Sequence, residues 1–136
     1  VPIPLTDSVK SGDFKLSNTT IGGALSVFSE NYDQNGNEFS KILSFNVIGI
    51  NIDNIKNYFD LAQPDYIKID VDGIEHLIIE GGLNTIKNCK GILVEINKNF
   101  PQQYLKCNSF LTNLGFKKST IENIGIESTN EIWKKL

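Results

Sequence analysis

The sequence predicts an α/β fold with a mostly parallel sheet that ends in an antiparallel C-terminal hairpin. Apolar, β-branched runs at residues 66–71 and 91–96 have the length and composition of buried strands. Each run is followed by a stretch whose apolar residues recur at helical spacing. Two further short strand patterns, at residues 116–121 and 131–136, form the hairpin. Strands that alternate with helices before a hairpin are typical of a parallel sheet with an antiparallel edge.

Composition indicates one domain over residues 1–136, with 40% apolar residues. The net charge is −3 and all 13 basic residues are lysine, so the composition does not favour binding to nucleic acid. No apolar run is long enough to span a bilayer and no signal peptide is visible, so we expect a cytoplasmic protein without a membrane partner. The chain has no methionine, even at position 1, and is therefore expected to be a piece of a longer protein.

The N-terminal third is predicted to be mostly irregular. Residues 1–5 contain two prolines, which exclude a helix and suit a short edge strand. Residues 10–40 are polar and rich in Ser, Asn and Gly, so we expect loops and an irregular hairpin laid over the ligand side of the sheet. Within them Asn35-Gly36 predicts a tight turn, because both residue types tolerate positive φ. Residues 42–50 are the next strand candidate.

Helix start and stop signals lie between the strands. Asn51 is a good N-cap for a short helix that places Phe59 on its inner face. A second helix begins near Ile74 and ends at a pair of glycines, with one further turn after it. A third helix is opened by Pro101 and closed by Gly115.

Three acids lie where the strand at residues 66–71 turns into a helix: Asp70, Asp72 and Glu75. In open α/β sheets ligands bind in the crevice outside the carboxyl ends of the strands. Three carboxylates at one junction repel one another, so a cation or hydrogen-bond donors are expected to offset them. Glu75 alone is explained by the helix dipole, which favours acids in the first turn. Asp70 closes an apolar strand and is expected to be largely desolvated, which favours a functional role.

An ordered series of segments, at residues 53–55, 67–75, 80–82, 92–96 and 130–134, resembles the C-terminal half of the FkbM-type methyltransferases. One departure is Asp72, where the family usually has Glu, so the carboxylate of this chain has a shorter reach. The resemblance covers most of the chain from about residue 42 onward and depends on the order of these segments.

The resemblance implies a Rossmann-like class I methyltransferase fold from which the N-terminal cofactor-binding strands are missing. It also implies transfer of a methyl group from S-adenosylmethionine to a hydroxyl oxygen of a small-molecule or sugar substrate. In that family the glycine-rich cofactor turn lies upstream of this segment. Gly22-Gly23 is no substitute, because it follows no strand that leads into a helix.

By the same resemblance, Asp70 occupies the place of a catalytic or metal-binding acid that faces the methyl group. Glu95 and Asn97, at the end of the next strand, line the acceptor side. Together with Asp72 and Glu75 they are the predicted catalytic residues.

Three roles remain open at this point. The acceptor hydroxyl must lose its proton, either to a carboxylate such as Asp70 or with help from a divalent cation such as magnesium held by Asp70. His76, the sole histidine, is a candidate base, with a solvent-facing helix position as the alternative. Asp7 is the predicted cofactor-binding residue near the adenine edge, with a solvated turn aspartate as the alternative.

Other enzyme families share parts of the pattern. A strand followed by Asp-x-Asp-Gly also resembles the haloacid-dehalogenase-type phosphatases, in which Asp70 would be phosphorylated and Asp72 would be the general acid. That family has Thr or Val where this chain has Ile74, and no later pair of aspartates supplies its magnesium site. Metal-dependent glycosyltransferases share only the apolar strand followed by the Asp-x-Asp motif. An EF-hand is excluded, because Gly73 falls at the fourth loop position instead of the sixth.

A non-enzymatic function is the other alternative. A chain without the cofactor loop is either an inactive fragment or a self-associating binding module. An exposed sheet edge invites pairing with a second chain, so a homodimer through such an edge is expected.

Overall fold

The computed structural model describes residues 3–20, 25–119 and 129–135. In these residues the chain forms two sheets and the helices between them. The strands are β1 Lys10–Leu16, β2 Ser26–Phe28, β3 Leu43–Gly49, β4 Tyr66–Ile69, β5 Gly91–Glu95, β6 Lys117–Lys118 and β7 Asn130–Lys134. The helices are α1 Ile52–Tyr58, α2 Glu75–Glu80, α3 Leu83–Ile86 and α4 Pro101–Asn113. None of the helices in the described residues is long and apolar enough to cross a bilayer.

The larger sheet has the strand order β4-β5-β7-β6. β4 and β5 are parallel and are connected through α2 and α3, whereas β7 is antiparallel to both β5 and β6. The predicted α/β class and the C-terminal hairpin are confirmed. In the described residues, however, the sheet is mixed rather than mostly parallel. The part of the hairpin prediction at residues 120–128 and 136 lies outside the described residues.

A second sheet occupies part of the region predicted to be loops and an irregular hairpin. β1 pairs antiparallel with β2 on one side and with β3 on the other. The irregular hairpin predicted within residues 10–40 is confirmed as the antiparallel pair of β1 and β2, and the strand predicted at residues 42–50 is confirmed as β3. The pairing of β1 with β3, which makes a three-stranded sheet, is not predicted by the sequence. One face of β1 carries polar residues, so its sequence has no apolar run that would predict a strand. Pairing on both sides stabilises it, and Phe14 contacts the ring of Phe45 with centroids 5.7 Å apart.

One cluster of buried residues joins the two sheets. Val27 and Phe28 of β2 belong to the same buried cluster as Ile78 of α2 and Val94 of β5. The fit around Phe28 is close, because a Cβ added at Gly49 would lie 2.3 Å from Cε1 of its ring. Only glycine fits there. An isolated parallel bridge pairs Leu5 with Ile50, the residue that follows β3. The division of the chain into domains stays a prediction.

β4 is buried on one face only. Ile69 is 4% exposed, whereas Tyr66 is 68% exposed, so the prediction of a buried strand is wrong at its start. The face away from α2 and α4 carries an apolar groove of about 350 Å³ beside Tyr66, Leu93 and Ile132. In the described residues β4 is hydrogen-bonded to β5 alone and forms an edge of its sheet.

The helices begin and end close to their predicted signals. The Asn51 side chain accepts a hydrogen bond from the Asn54 N–H at 3.0 Å and caps α1, as predicted. α1 ends at Tyr58, so Phe59 follows the helix and is exposed, and its predicted inner position is wrong. α4 ends shortly before Gly115, whose φ of +83° marks the predicted stop.

α3 is capped by a side chain from another helix. The residue before it, Gly82, has no capping side chain, and Asp53 of α1 takes this role. The Asp53 carboxylate accepts hydrogen bonds from the N–H and hydroxyl of Thr85 at 2.8 and 2.7 Å and from the N–H of Asn84 at 3.1 Å. Burial raises the pKa of Asp53, but the hydrogen bonds from Thr85 and Asn84 outweigh it and hold the pKa below its usual value.

We expect Asp53→Ala to destabilise the protein by about 1–2 kcal/mol, because it removes the cap of α3 and leaves its first N–H groups without an acceptor. Urea unfolding followed by circular dichroism measures the loss. Asp13→Ala is the matched control, since it removes an exposed carboxylate on β1. Equal losses in both variants would contradict the capping role.

Candidate active site

Two cavities lie at the carboxyl ends of β4 and β5, one on each side of Val71. Because these strands are parallel, their ends meet at the same edge of the sheet. The polar cavity has a volume of about 240 Å³ and is lined by Gln34, Asn35, Val71, Gly73, Glu75, Glu95, Asn97, Asn99, Gln103 and Thr129. The apolar cavity has a volume of about 280 Å³ and is lined by Pro4, Leu5, Phe14, Ser26, Phe28, Asp70, Val71, Asp72, Ile74 and Ile78.

The structure divides the predicted catalytic residues between these cavities. Asp70 and Asp72 line the apolar cavity, whereas Glu75, Glu95 and Asn97 line the polar one. The sequence predicts one group of acids at one junction. Asp70 and Asp72 lie two positions apart and line the same cavity. Glu75 instead follows the turn at Gly73 and begins α2, on the other side of Val71.

Asp70 is an exposed ion-pair partner. Its carboxylate lies 2.6 Å from Nζ of Lys68, and 43% of the side chain is exposed. The predicted desolvation of Asp70 is wrong, because β4 ends one residue earlier and Asp70 extends into solvent. The hydrogen bond from the Lys68 ammonium is the first cause that holds the pKa of Asp70 below its usual value.

Each acid at the junction has its own donor. Lys68 pairs with Asp70, and the backbone N–H of Ser26 donates to Asp72 at 3.0 Å. The side-chain amide of Gln103 donates to Glu75. The expectation that a cation or hydrogen-bond donors offset the three carboxylates is confirmed.

Glu75 is fully enclosed. Its side chain lines the polar cavity, yet the residue is 1% exposed. One carboxylate oxygen accepts from the Gln103 amide, and the other faces the Gly73 N–H at 3.5 Å. Burial raises the pKa of Glu75 to about 7, and the nearby charge of Glu95 adds to the rise.

Gln103 is a site residue that the sequence patterns do not single out. It is 1% exposed, and its Oε1 accepts from the backbone N–H of Asn97 at 2.7 Å while its Nε2 donates to Glu75. The signal lies in the spacing, because Gln103 precedes the buried Cys107 and Leu111 at helical intervals on α4. A polar residue in that buried row requires a polar partner.

A turn closes over the polar cavity. Asp33 Oδ1 accepts from the N–H groups of Asn35 and Asn37 at 2.8 and 2.9 Å, and Gly36 has a φ of +78°, so the predicted turn is confirmed. Asn97 Nδ2 donates to the carbonyl of Gln34 at 2.9 Å and to Asn35 Oδ1 at 2.8 Å. This part of the loop region lies over the strand ends, as the sequence predicts.

Two other predicted site residues lie outside these cavities. Asp7 accepts hydrogen bonds from the hydroxyl of Thr6 at 2.8 Å and from Lys10 Nζ at 2.7 Å, and lines neither cavity. His76 is fully buried against Phe100, with ring centroids 6.2 Å apart. A solvent-facing position for His76 is therefore wrong. Its ring nitrogens have no hydrogen-bond partner among the described residues, and burial lowers its pKa to about 4.

The structure does not support the predicted divalent cation. Among residues 3–20, 25–119 and 129–135, no three His, Cys, Asp or Glu side chains are grouped so that they would hold a metal ion. Asp70, the predicted metal ligand, already has the Lys68 ammonium at 2.6 Å. The residues present therefore do not fit a metal site.

The comparison with protein families gives one match. The family model described as "Methyltransferase FkbM domain" matches residues 8–118, which is well over half of the chain. No curated protein and no solved structure matches this sequence.

We expect Glu75→Gln to change the dependence of stability on pH. The folded pKa of Glu75, about 7, lies above the usual value of 4.5, so the stability linked to its proton is present below pH 4.5 and is lost as the pH rises through 7. The free energy of unfolding of the wild type should fall by up to about 3 kcal/mol more than that of the variant between pH 5 and pH 8. Urea titrations at several pH values measure this difference.

Glu80→Gln, at the exposed end of the same helix, is the control and should keep the slope of the wild type. Parallel curves for Glu75→Gln and the wild type would show that Glu75 titrates normally.

Proposed function

Since the chain belongs to the FkbM methyltransferase domain family, we propose that it transfers a methyl group from S-adenosylmethionine to a hydroxyl oxygen of a small molecule or sugar. The observation that carries this proposal is the pair of unlike cavities that share Val71 at the carboxyl ends of β4 and β5. Methyl transfer brings together a cationic donor with apolar parts and a polar acceptor, and adjacent apolar and polar cavities suit that combination. The helical connection between these parallel strands supports a Rossmann-like arrangement.

The apolar cavity suits the methyl donor. S-adenosylmethionine carries a positive sulfonium, and Asp70 and Asp72 present carboxylates among apolar walls. The ammonium of Lys68 offsets one of these two carboxylates, so the pair keeps a net negative charge that attracts a cation. Asp7 stays a predicted contact of the adenine edge.

The polar cavity suits the acceptor. Side-chain amides of Gln34, Asn97 and Gln103 both donate and accept hydrogen bonds, as a hydroxyl group also does. Methyl transfer is an in-line displacement at carbon, and most of the help that a protein gives is positioning of the two reactants. In this proposal the reacting atoms meet beside Val71.

Calorimetric titration with S-adenosylmethionine and with S-adenosylhomocysteine tests the proposal. We expect both to bind, and the first more tightly, because its sulfonium is positive and the sulfur of the second is neutral. Asp70→Asn should weaken binding of S-adenosylmethionine by about 1 kcal/mol, roughly fivefold in Kd, and leave S-adenosylhomocysteine unchanged. Asp13→Asn, on the exposed face of β1, is the control. A folded chain that binds neither compound would refute the assignment of the apolar cavity.

A self-associating binding module is the second candidate. In the described residues β4 is an edge strand, and its exposed Tyr66 lies beside the apolar groove on the sheet. We propose a homodimer through this edge. Tyr66→Glu should shift sedimentation equilibrium toward monomer, whereas Tyr58→Glu, at an equally exposed position on α1, should not. A wild type that is monomeric at every concentration would rule the dimer out.

A further inference from the structure

Glu75 is held in the polar cavity without a compensating cation. Its partners are the neutral amide of Gln103 and the neutral N–H of Gly73. The other groups that face it are a second carboxylate on β5, Glu95, the hydroxyl of Tyr32 and, on α4, the thiol of Cys107. Holding an ionised carboxylate there costs stability, because buried charge without a countercharge is unfavourable.

A glutamine at position 75 would fill the same space and would bury no charge. The structural cost of Glu75 therefore points to a use for its ability to bind and release a proton. Among the acids that line the two cavities, Glu75 is the buried one. Asp70, by contrast, is exposed and paired with Lys68.

Building on the proposed methyl transfer, we propose that Glu75 is the catalytic base that takes the proton of the acceptor hydroxyl in the polar cavity. Gln103 is the positioning residue that holds the Glu75 carboxylate in place. Glu75 lies on the acceptor side of Val71, where the hydroxyl would lie, whereas Asp70 lies on the other side.

The reaction balances with the groups named. The acceptor oxygen forms a bond to the methyl carbon, and the carbon–sulfur bond breaks with its electron pair passing to sulfur. The positive sulfonium becomes a neutral thioether. The hydroxyl proton passes to the carboxylate of Glu75, which becomes neutral and later releases the proton to solvent. The positive and negative charges are thus both removed in one turnover.

The acidity of Glu75 suits this role. A general base works best when its pKa lies near the operating pH, and burial brings Glu75 to about 7. Asp70 is the weaker base, because the ammonium of Lys68 holds its pKa below the usual value. Glu95, the other acid of the polar cavity, already accepts a hydrogen bond from the hydroxyl of Thr129 at 2.6 Å, so one of its oxygens is occupied.

The orientation of the Gln103 amide follows from its contacts. The N–H of Asn97 can only donate, so it requires the oxygen of Gln103, and the nitrogen must then face Glu75. An amide donor favours the ionised form of a carboxyl group. Gln103 therefore both positions Glu75 and lowers the cost of its ionisation.

Chemical labelling tests whether Glu75 is reachable from the cavity and titrates as the proposal requires. A small neutral diazo ester esterifies carboxylic acids in their protonated form, and mass spectrometry locates the product. We expect Glu75 to be labelled below pH 7 and protected above it, while Asp70, whose pKa lies below its usual value, stays unlabelled between pH 5 and pH 8. Gln103→Leu should move the midpoint upward by about one pH unit, since it removes a donor to the ionised form.

Gln102→Leu is the matched control, because Gln102 is the exposed neighbour of Gln103 on α4. It should leave the labelling midpoint unchanged. A purely structural role for Gln103 would lower stability without moving the midpoint. Absence of label on Glu75 at every pH would overturn the proposal, because a base that a small reagent cannot reach cannot take a proton from an acceptor.

Transfer of radiolabelled methyl from S-adenosylmethionine to glycerol, used as a probe acceptor, is the second measurement. We expect Glu75→Gln to lower the rate about 10²- to 10⁴-fold and to abolish the rise in rate around pH 7, while Glu80→Gln keeps both. A Glu75→Gln variant with the rate of the wild type would refute the proton role while the proposed function stands. Failure to bind S-adenosylmethionine would instead refute the proposed function.

Discussion

The parallel pairing of β4 with β5 is the constraint on which the candidate site depends. Their register aligns Ile69 with Val94, so the next residues, Asp70 and Glu95, become neighbours at the same edge of the sheet. A parallel pair requires a crossover connection, and α2 with α3 supplies it. The crossover begins at this edge, so Glu75, the first residue of α2, lines the same cavity as Glu95 at the end of β5.

A close backbone contact completes this edge. Gly73 has a φ of +108°, and a Cβ added there would lie 2.9 Å from the carbonyl oxygen of Asp33. The turn that contains Asp33 therefore approaches the β4–α2 junction only because residue 73 is glycine. Asn97 holds the same turn from the β5 side through two hydrogen bonds. The polar cavity is thus formed by the strand ends of the larger sheet together with the turn that precedes β3.

The environments of two carboxyl groups five positions apart are opposite. Lys68 stabilises the charge of Asp70 near solvent, whereas burial favours the neutral form of Glu75. Carboxyl groups whose pKa values are separated in this way can take different roles in one reaction. In the proposed function Asp70 attracts the cationic donor and Glu75 handles the proton of the acceptor.

The sequence by itself determined the features that depend on neighbouring residues: the cap at Asn51, the turn at Gly36, the existence of β4 and β5, and the family. Only the tertiary structure decided that β1 pairs with β3 and that Gln103 and Glu75 share a buried contact. The reason is physical. Caps, turns and periodicity arise from interactions within a few residues, whereas strand pairing, desolvation and the partner of a buried amide depend on segments that are distant in sequence.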